Sequence, residues 1–524
     1  MGKRLMTTPV AILLASWAMG STAAANEERA RLLSGLDEHY NRTSTDIRQA
    51  AGAPFHPAKS YKPRGISQTA AWTQTDKAWL VMLCKQKIIP RQRAMDAFQA
   101  IERHGRGNEY FLHSQGVDSD IASAVNIGRT RQEPMARLVI RGRLLECIDR
   151  LLHAMDVALK VSERHAETIF AGRTHMSQGQ PTTYGAYLLS VYDGLDRGLD
   201  QFEVAYKHAN RNSVGCGALA GTGLPVHREL VSELLGFDGL VEPAYDCEAG
   251  QDFAMTSLFA ATNVMTLLSR VAVDYTFWTA DDVAMMRLRP CWLGVSSMMP
   301  QKAHAGSAFE WYRRRCADVS GQMMRGLMGM HNEPLQDVLP IYQAAWSGTP
   351  RALEDTEYSL NLFAAMLPDI HPDADRMLQL VRDGYSCAWR VKDELVLASD
   401  KDYGLRRAHR VVATFVRMAR DRGLKAHETT GELLDEAAQY VNQPAPELST
   451  KRLRQLLDPV DFIERHYHTG DAHPDETRRM IARRREALER ARQRQANRRD
   501  RVENANDRLD LEIAEIVGSR KTGK

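Results

Sequence analysis

RLVIRGRLLECIDRLLHAMDVALK, running from Arg137 to Lys160, sets the fold class. Its polar residues recur as Arg137, Arg141, Glu146, Asp149, His153, Asp156 and Lys160. Leu144, Ile148, Leu151, Leu152, Met155 and Leu159 are left for one inward face, a spacing of three and four residues that predicts a long amphipathic helix. Leu258 to Trp278 repeats the pattern with fewer polar breaks, at Asn263, Thr266, Arg270 and Asp274. A helix so apolar is expected inside a bundle, and the charged pair Arg270 and Asp274 argues against a membrane span.

Working outward, alternation of period two is nearly absent, so the fold class is mostly α. Turn-rich stretches at Gly52–Pro63, Gly215–Gly223, Val241–Gly250 and Gln443–Leu448 punctuate the helices. The length of 524 residues excludes a single small module, and 44% hydrophobic with 26% charged residues excludes a disordered or multi-span membrane chain. Seven scattered cysteines without a CxxC or a Cys/His cluster point to reduced thiols, with no metal site expected. The N-terminus reads two ways. Lys3 and Arg4 before an apolar run and Ala23-Ala24-Ala25 suit a secretory signal over residues 1–25, and the same segment suits an N-terminal arm. The net charge of +3 is uneven: Arg478 to Arg501 holds eleven arginines against Glu486, Glu489 and Asp500, or +8, leaving −5 elsewhere. That segment is expected to be an exposed basic helix, a solvated face or subunit-contact arm rather than a nucleic-acid surface.

The chemistry gathers in three blocks. Gly294-Val295-Ser296-Ser297-Met298-Met299-Pro300-Gln301-Lys302 places two serines and a lysine in a glycine-led loop. A serine alkoxide there can take a proton beside a carboxylate, and an ammonium can neutralise the charge that develops. As an ordered string the loop resembles the signature of the fumarase/aspartase superfamily. Gly172-Arg173-Thr174-His175-Met176 with Gln180-Pro181 resembles its Thr-His block, expected in a pre-helical turn, and Gly128-Arg129-Thr130-Arg131-Gln132-Glu133 resembles its arginine-containing substrate loop. Gly217-Ala218-Leu219-Ala220-Gly221-Thr222, Leu405-Arg406-Arg407-Ala408-His409 and His468-Thr469-Gly470 closely resemble argininosuccinate lyases, over roughly residues 65 to 485. Gly215-Cys216-Gly217-Ala218-Leu219-Ala220 also fits a degenerate dinucleotide fingerprint, but no βαβ unit surrounds it.

The resemblance implies three mostly helical domains around a central long-helix bundle. The boundaries expected are 26–130, 131–385 with the catalytic loop at 294–307, and 386–477, followed by a basic C-terminal helix extension at 478–524. It implies a homotetramer whose active sites each draw on three subunits, a small N-succinyl amine as substrate, and neither metal nor organic cofactor. It implies a cytoplasmic protein, or a periplasmic or secreted one if residues 1–25 are a cleaved signal. Ser296 would take the β-proton, Lys302 would stabilise the aci-carboxylate, and His175 polarised by Glu310 would assist departure of the amine. Thr174, Arg129, Thr130, Arg131, Gln132 and Ser297 would hold the dicarboxylate, with His304 the substitute for a missing anion-binding asparagine and Gln336 on the leaving-group side. The departures matter. Gln132 replaces an asparagine, Ala303-His304-Ala305-Gly306 replaces Lys-Asn-Pro-Asp, and Leu339 stands where argininosuccinate lyases carry a lysine. The expected reaction is elimination of fumarate, from argininosuccinate by default or from an ethylenediamine disuccinate-type aspartate, and the rival from another class is a non-catalytic structural oligomer.

Overall fold

The computed structural model describes residues 66–130, 135–289, 292–296, 298–299, 303–304, 306–339, 347–397 and 403–518. The expected signal or arm at 1–25 lies outside them. Four short helices open the described chain: α1 (Gln68–Lys85), α2 (Arg91–His104), α3 (Glu109–Ser114) and α4 (Ser119–Ala122). The bundle then begins with α5 (Met135–Arg164), whose 30 residues span about 45 Å. A hairpin of β1 (Ile169–Thr174) and β2 (Ser177–Thr183) turns the chain into α6 (Tyr184–Ala209), started by Thr183, whose Oγ1 accepts the Ala186 N–H at 3.1 Å.

Short helices α7 (Arg228–Leu234) and α8 (Ala244–Ala249) follow, the second inside a stretch read from sequence as turn alone. Next come α9 (Asp252–Trp278), β3 (Met286–Leu288), β4 (Gly294–Val295), β5 (Ala303–His304), α10 (Gly306–Met330) and α11 (Thr349–Met366). β6 (Ile370–Pro372) pairs with β3, and α12 (Ala374–Asp383) leads away from the bundle. The C-terminal unit is α13 (Ala388–Leu397), α14 (Leu405–Asp421), α15 (Gly431–Tyr440), α16 (Thr450–Leu457) and α17 (Pro459–Arg465), and the last helix is α18 (Pro474–Val517).

Three apolar cores correspond to an N-terminal unit, the bundle and the C-terminal unit. The predicted inward face of α5 is buried, from Leu144 to Leu159. The first part of its polar stripe, Arg137, Arg141 and Glu146, is buried as well, which periodicity alone does not foretell, while His153 and Lys160 are exposed. Arg137 donates to the carbonyls of His208 (2.8 Å) and Gly250 (3.3 Å), and Arg141 to Asn210 Oδ1 (3.2 Å) and the Leu235 carbonyl (2.9 Å). Both guanidinium groups lie over phenylalanine rings, Phe253 and Phe237.

The C-terminal helix keeps most of its arginines exposed, as expected, but it does not stand apart from the fold. α18, 44 residues long, lies along the bundle and sends Ile481, Leu488 and Ala491 into the bundle core and Leu509 and Ile516 into the N-terminal core. Its arginines meet acids that α5 and α6 present: Arg484 to Asp193 (2.6 Å), Arg485 to Glu163 (2.6 Å), Arg494 to Glu203 (3.1 Å) and Arg499 to Glu146 (2.7 Å). The helix stops at Gly518, whose φ of +78° suits a residue without Cβ, and Arg91 from α2 donates to the carbonyls of Glu515 (2.6 Å) and Ile516 (2.9 Å).

Candidate active site

The bundle helices run alternately, so the connections gather at two ends. Arg137 at the start of α5 meets the end of α6 and the chain before α9, which fixes one end. The other end holds the β1–β2 turn, where Arg173 touches Met285 beyond α9. The sequence blocks divide between them. Arg129 and Thr130 precede α5, and Gln336 follows α10, at the first end; Thr174, His175, Ser296 and Glu310 are at the second.

At the first end a cleft of ≈430 Å³ is lined by Glu109, Asn126, Arg129, Thr130, Ala218, Leu219, Glu248 and Asp337. Arg129 was expected to hold substrate, yet its guanidinium is engaged within the chain. It forms a buried ion pair with Asp76, and Nε donates to the Val125 carbonyl at 2.8 Å. Asp76 in turn accepts the Asn108 N–H at 2.6 Å, so the pair ties the substrate loop to α1 and α3. Thr130 Oγ1 donates to Glu248 Oε1 at 3.1 Å. The wall opposite is the Gly217–Thr222 turn, where a Cβ on Gly217 would stand 2.3 Å from the Gly221 carbonyl, so the turn closes only with glycine. Glu109, Asn126, Glu248 and Asp337 were not read from sequence as cleft residues. Only their neighbours carried a signal, Gln336 beside Asp337 and the turn-rich stretch around Glu248.

At the second end, the Thr-His block is a β-turn rather than a helical entry. Thr174 pairs with Ser177, and His175 and Met176 occupy the two turn positions, exposed, with φ of +53° and +62°. A second histidine nearby serves differently: His165 packs against Tyr184 and burial pushes its pKa down to about 4, so it stays neutral. β4 and β5 pair through Val295 and Ala303, closing the neck of the serine loop. Ser296 Oγ accepts the backbone N–H groups of Met299 (3.0 Å) and Met298 (3.3 Å). Two N–H donors aimed at one hydroxyl oxygen favour its alkoxide. Glu310 is exposed on the first turns of α10. Among the described residues no hydrogen bond or ion pair joins it to His175 within the chain, so the expected couple is not made inside one subunit. Arg131, Gln132, Ser297 and Lys302 lie outside the described residues, as does the side chain of His304.

Comparison with known proteins places the chain in a family. A family model described as lyase matches residues 66–321. The argininosuccinate lyase of Alcanivorax borkumensis is 31% identical over 376 residues, covering 70% of this chain and 76% of that protein. The argininosuccinate lyase of Methanothrix thermoacetophila is 28% identical over 441 residues, covering 79% and 87%. Among solved structures, an EDDS lyase superposes with a TM-score of 0.82 at 24% identity, covering 90% of this chain and 97% of that one, a likeness of fold. The chain belongs to the fumarase/aspartase superfamily as an argininosuccinate lyase-like member, a carbon–nitrogen lyase of the fumarate-releasing kind.

Proposed function

We propose that this enzyme splits an N-succinyl amine by β-elimination in sites built jointly by several subunits. The observation that carries this reading is the division of the blocks between bundle ends about 45 Å apart, the length of α5. No single copy can close a site of that kind. An antiparallel partner would bring its Thr130 end to the His175 end of its neighbour. The bundle offers apolar side chains to such a partner: α9 and α10 expose Phe259 (53%), Val273, Met324, Leu327 and Met328 (58%).

In the assembled site Ser296 takes the proton from the succinyl β-carbon. The C–H electron pair becomes the new C=C bond, and the C–N bond breaks toward the amine. The two N–H groups at Ser296 Oγ support this role, since they stabilise the alkoxide that must form. Lys302 would neutralise the aci-carboxylate and His175 would assist the departing amine.

Argininosuccinate is the default substrate. The carboxylates of Glu109, Glu248 and Asp337 suit a cationic amine half, while Arg129 is held by Asp76. A diamine-derived aspartate such as ethylenediamine disuccinate meets the same wall, and Leu339, exposed where a lysine is expected, favours it. The test is fumarate absorbance after incubation with argininosuccinate and a panel of N-succinyl amines. Release from at least one is expected. Silence across the panel from a verified oligomer would leave the non-catalytic rival standing.

A further inference from the structure

The turn that presents His175 is an unusual one for its residues. A two-residue hairpin with both positions at positive φ is ordinarily built from Asn and Gly, and here His175 and Met176 occupy them. Something outside the turn has to hold it. The register of β1 against β2 slips between Ala171 and Arg173, and such a bulge re-aims the side chain beside it. The Arg173 side chain reaches back into its own subunit. Nη1 donates to the Met176 carbonyl at 3.0 Å, across the turn it precedes. The guanidinium lies 4.5 Å above the Phe277 ring at the end of α9, and Nη2 stands 3.9 Å from Met285 Sδ. Met285 immediately precedes β3, on the chain that leads to Ser296.

We propose that Arg173 is a positioning residue for the elimination: it locks the His175–Met176 turn and fastens it to Phe277 and Met285 at the end of its own bundle, so that His175 is presented in one fixed orientation. An arginine beside a dicarboxylate site invites the role of substrate ligand. Its contacts argue otherwise, because two of its nitrogens and its face are engaged within the chain. Lysine cannot substitute, since one ammonium cannot both reach the Met176 carbonyl and lie flat on Phe277. The proposal rests on the reading of His175 and Ser296 as working residues given above.

The experiment uses the full-length oligomer with Arg173→Met, Arg173→Lys and Arg173→Ala, and Ser296→Ala beside them. For Arg173→Met, kcat should fall by about 100-fold with KM within about threefold, the pattern of lost alignment rather than lost binding. Guanidinium chloride at millimolar levels should restore part of the Arg173→Ala rate, and amide exchange at residues 174–178 should quicken in every Arg173 variant. A wild-type kcat in Arg173→Met, or exchange at 174–178 equal to wild type, overturns the assignment. Should Arg173→Met fail to fold, Arg173→Lys gives the same reading. If Ser296→Ala turns over like wild type, the underlying reading falls. If Ser296→Ala is silent while Arg173→Met matches wild type, only the Arg173 assignment falls. The exchange measurement decides the clamp even where no substrate is turned over.

Discussion

Two backbone N–H groups converge on Ser296 Oγ, and a buried aspartate holds Arg129; the first contact supports the proposed base, and the second ties Arg129 into its own chain. Ser296→Ala is expected to lower turnover by at least about 100-fold, the scale of a general-base contribution, with the melting temperature unchanged. Fumarate absorbance and a thermal melt check both halves. Asp76→Asn should act on stability instead. Removing one partner of a buried ion pair leaves the Arg129 charge uncompensated, at a cost of about 3 kcal/mol or more, readable as a lower urea midpoint. Resemblance of motif cannot separate these roles. The string around Arg129 reads the same whether its guanidinium faces substrate or Asp76, and Asp76 lies more than fifty residues upstream with no local signal of its own.

At the scale of elements, α18 shows what periodicity can and cannot say. Its helical character and approximate end were legible in the arginine-rich segment, but a solvated basic face and a basic face laid on acids have the same sequence pattern. The acids that decide it, Glu163, Asp193 and Glu146, are roughly 300 residues away. Arg137 and Arg141 of α5 are buried for a like reason, since their partners His208, Gly250, Asn210 and Leu235 lie well beyond any local pattern. The short strands were missed because Gly172, Gly179 and Pro181 break the alternation that marks a strand. Along α18, Arg484→Ala should cost less than about 1 kcal/mol, since that pair is partly open to solvent and screened. Leu488→Ala should cost about 2–5 kcal/mol through the cavity it leaves. Denaturant melts of the two variants separate charge from packing.

Glu357 on α11 supplies a pH signature for the bundle. It is fully buried, its nearest cation is Arg143 at 3.7 Å, and neither oxygen has a hydrogen-bond partner among the described residues. Burial pushes its pKa up to about 7, with Arg499 pulling the other way. A carboxyl raised in the folded state favours folding below its unfolded value of 4.5, and that advantage is lost as pH rises through about 7. Stability should therefore fall across that window. Glu357→Gln should flatten the fall, gaining up to about 3 kcal/mol above pH 7. Urea midpoints of both proteins at pH 5 and 8 are the check, and equal slopes would return the effect to other groups.

For the molecule as a whole, the proposal is a site completed by more than one copy. Thr130 and the Glu248 cleft lie at one end of the bundle and His175 and Ser296 at the other, and exposed Phe259, Met324, Leu327 and Met328 lie toward the first. The most direct test mixes two silent oligomers, one carrying His175→Asn and one carrying Thr130→Val, after partial denaturation and refolding together. If the two residues come from different subunits, random reassortment leaves roughly a quarter of the sites intact, and fumarate release should return to that order. Hybrids verified by mass that remain as silent as either parent would contradict shared sites.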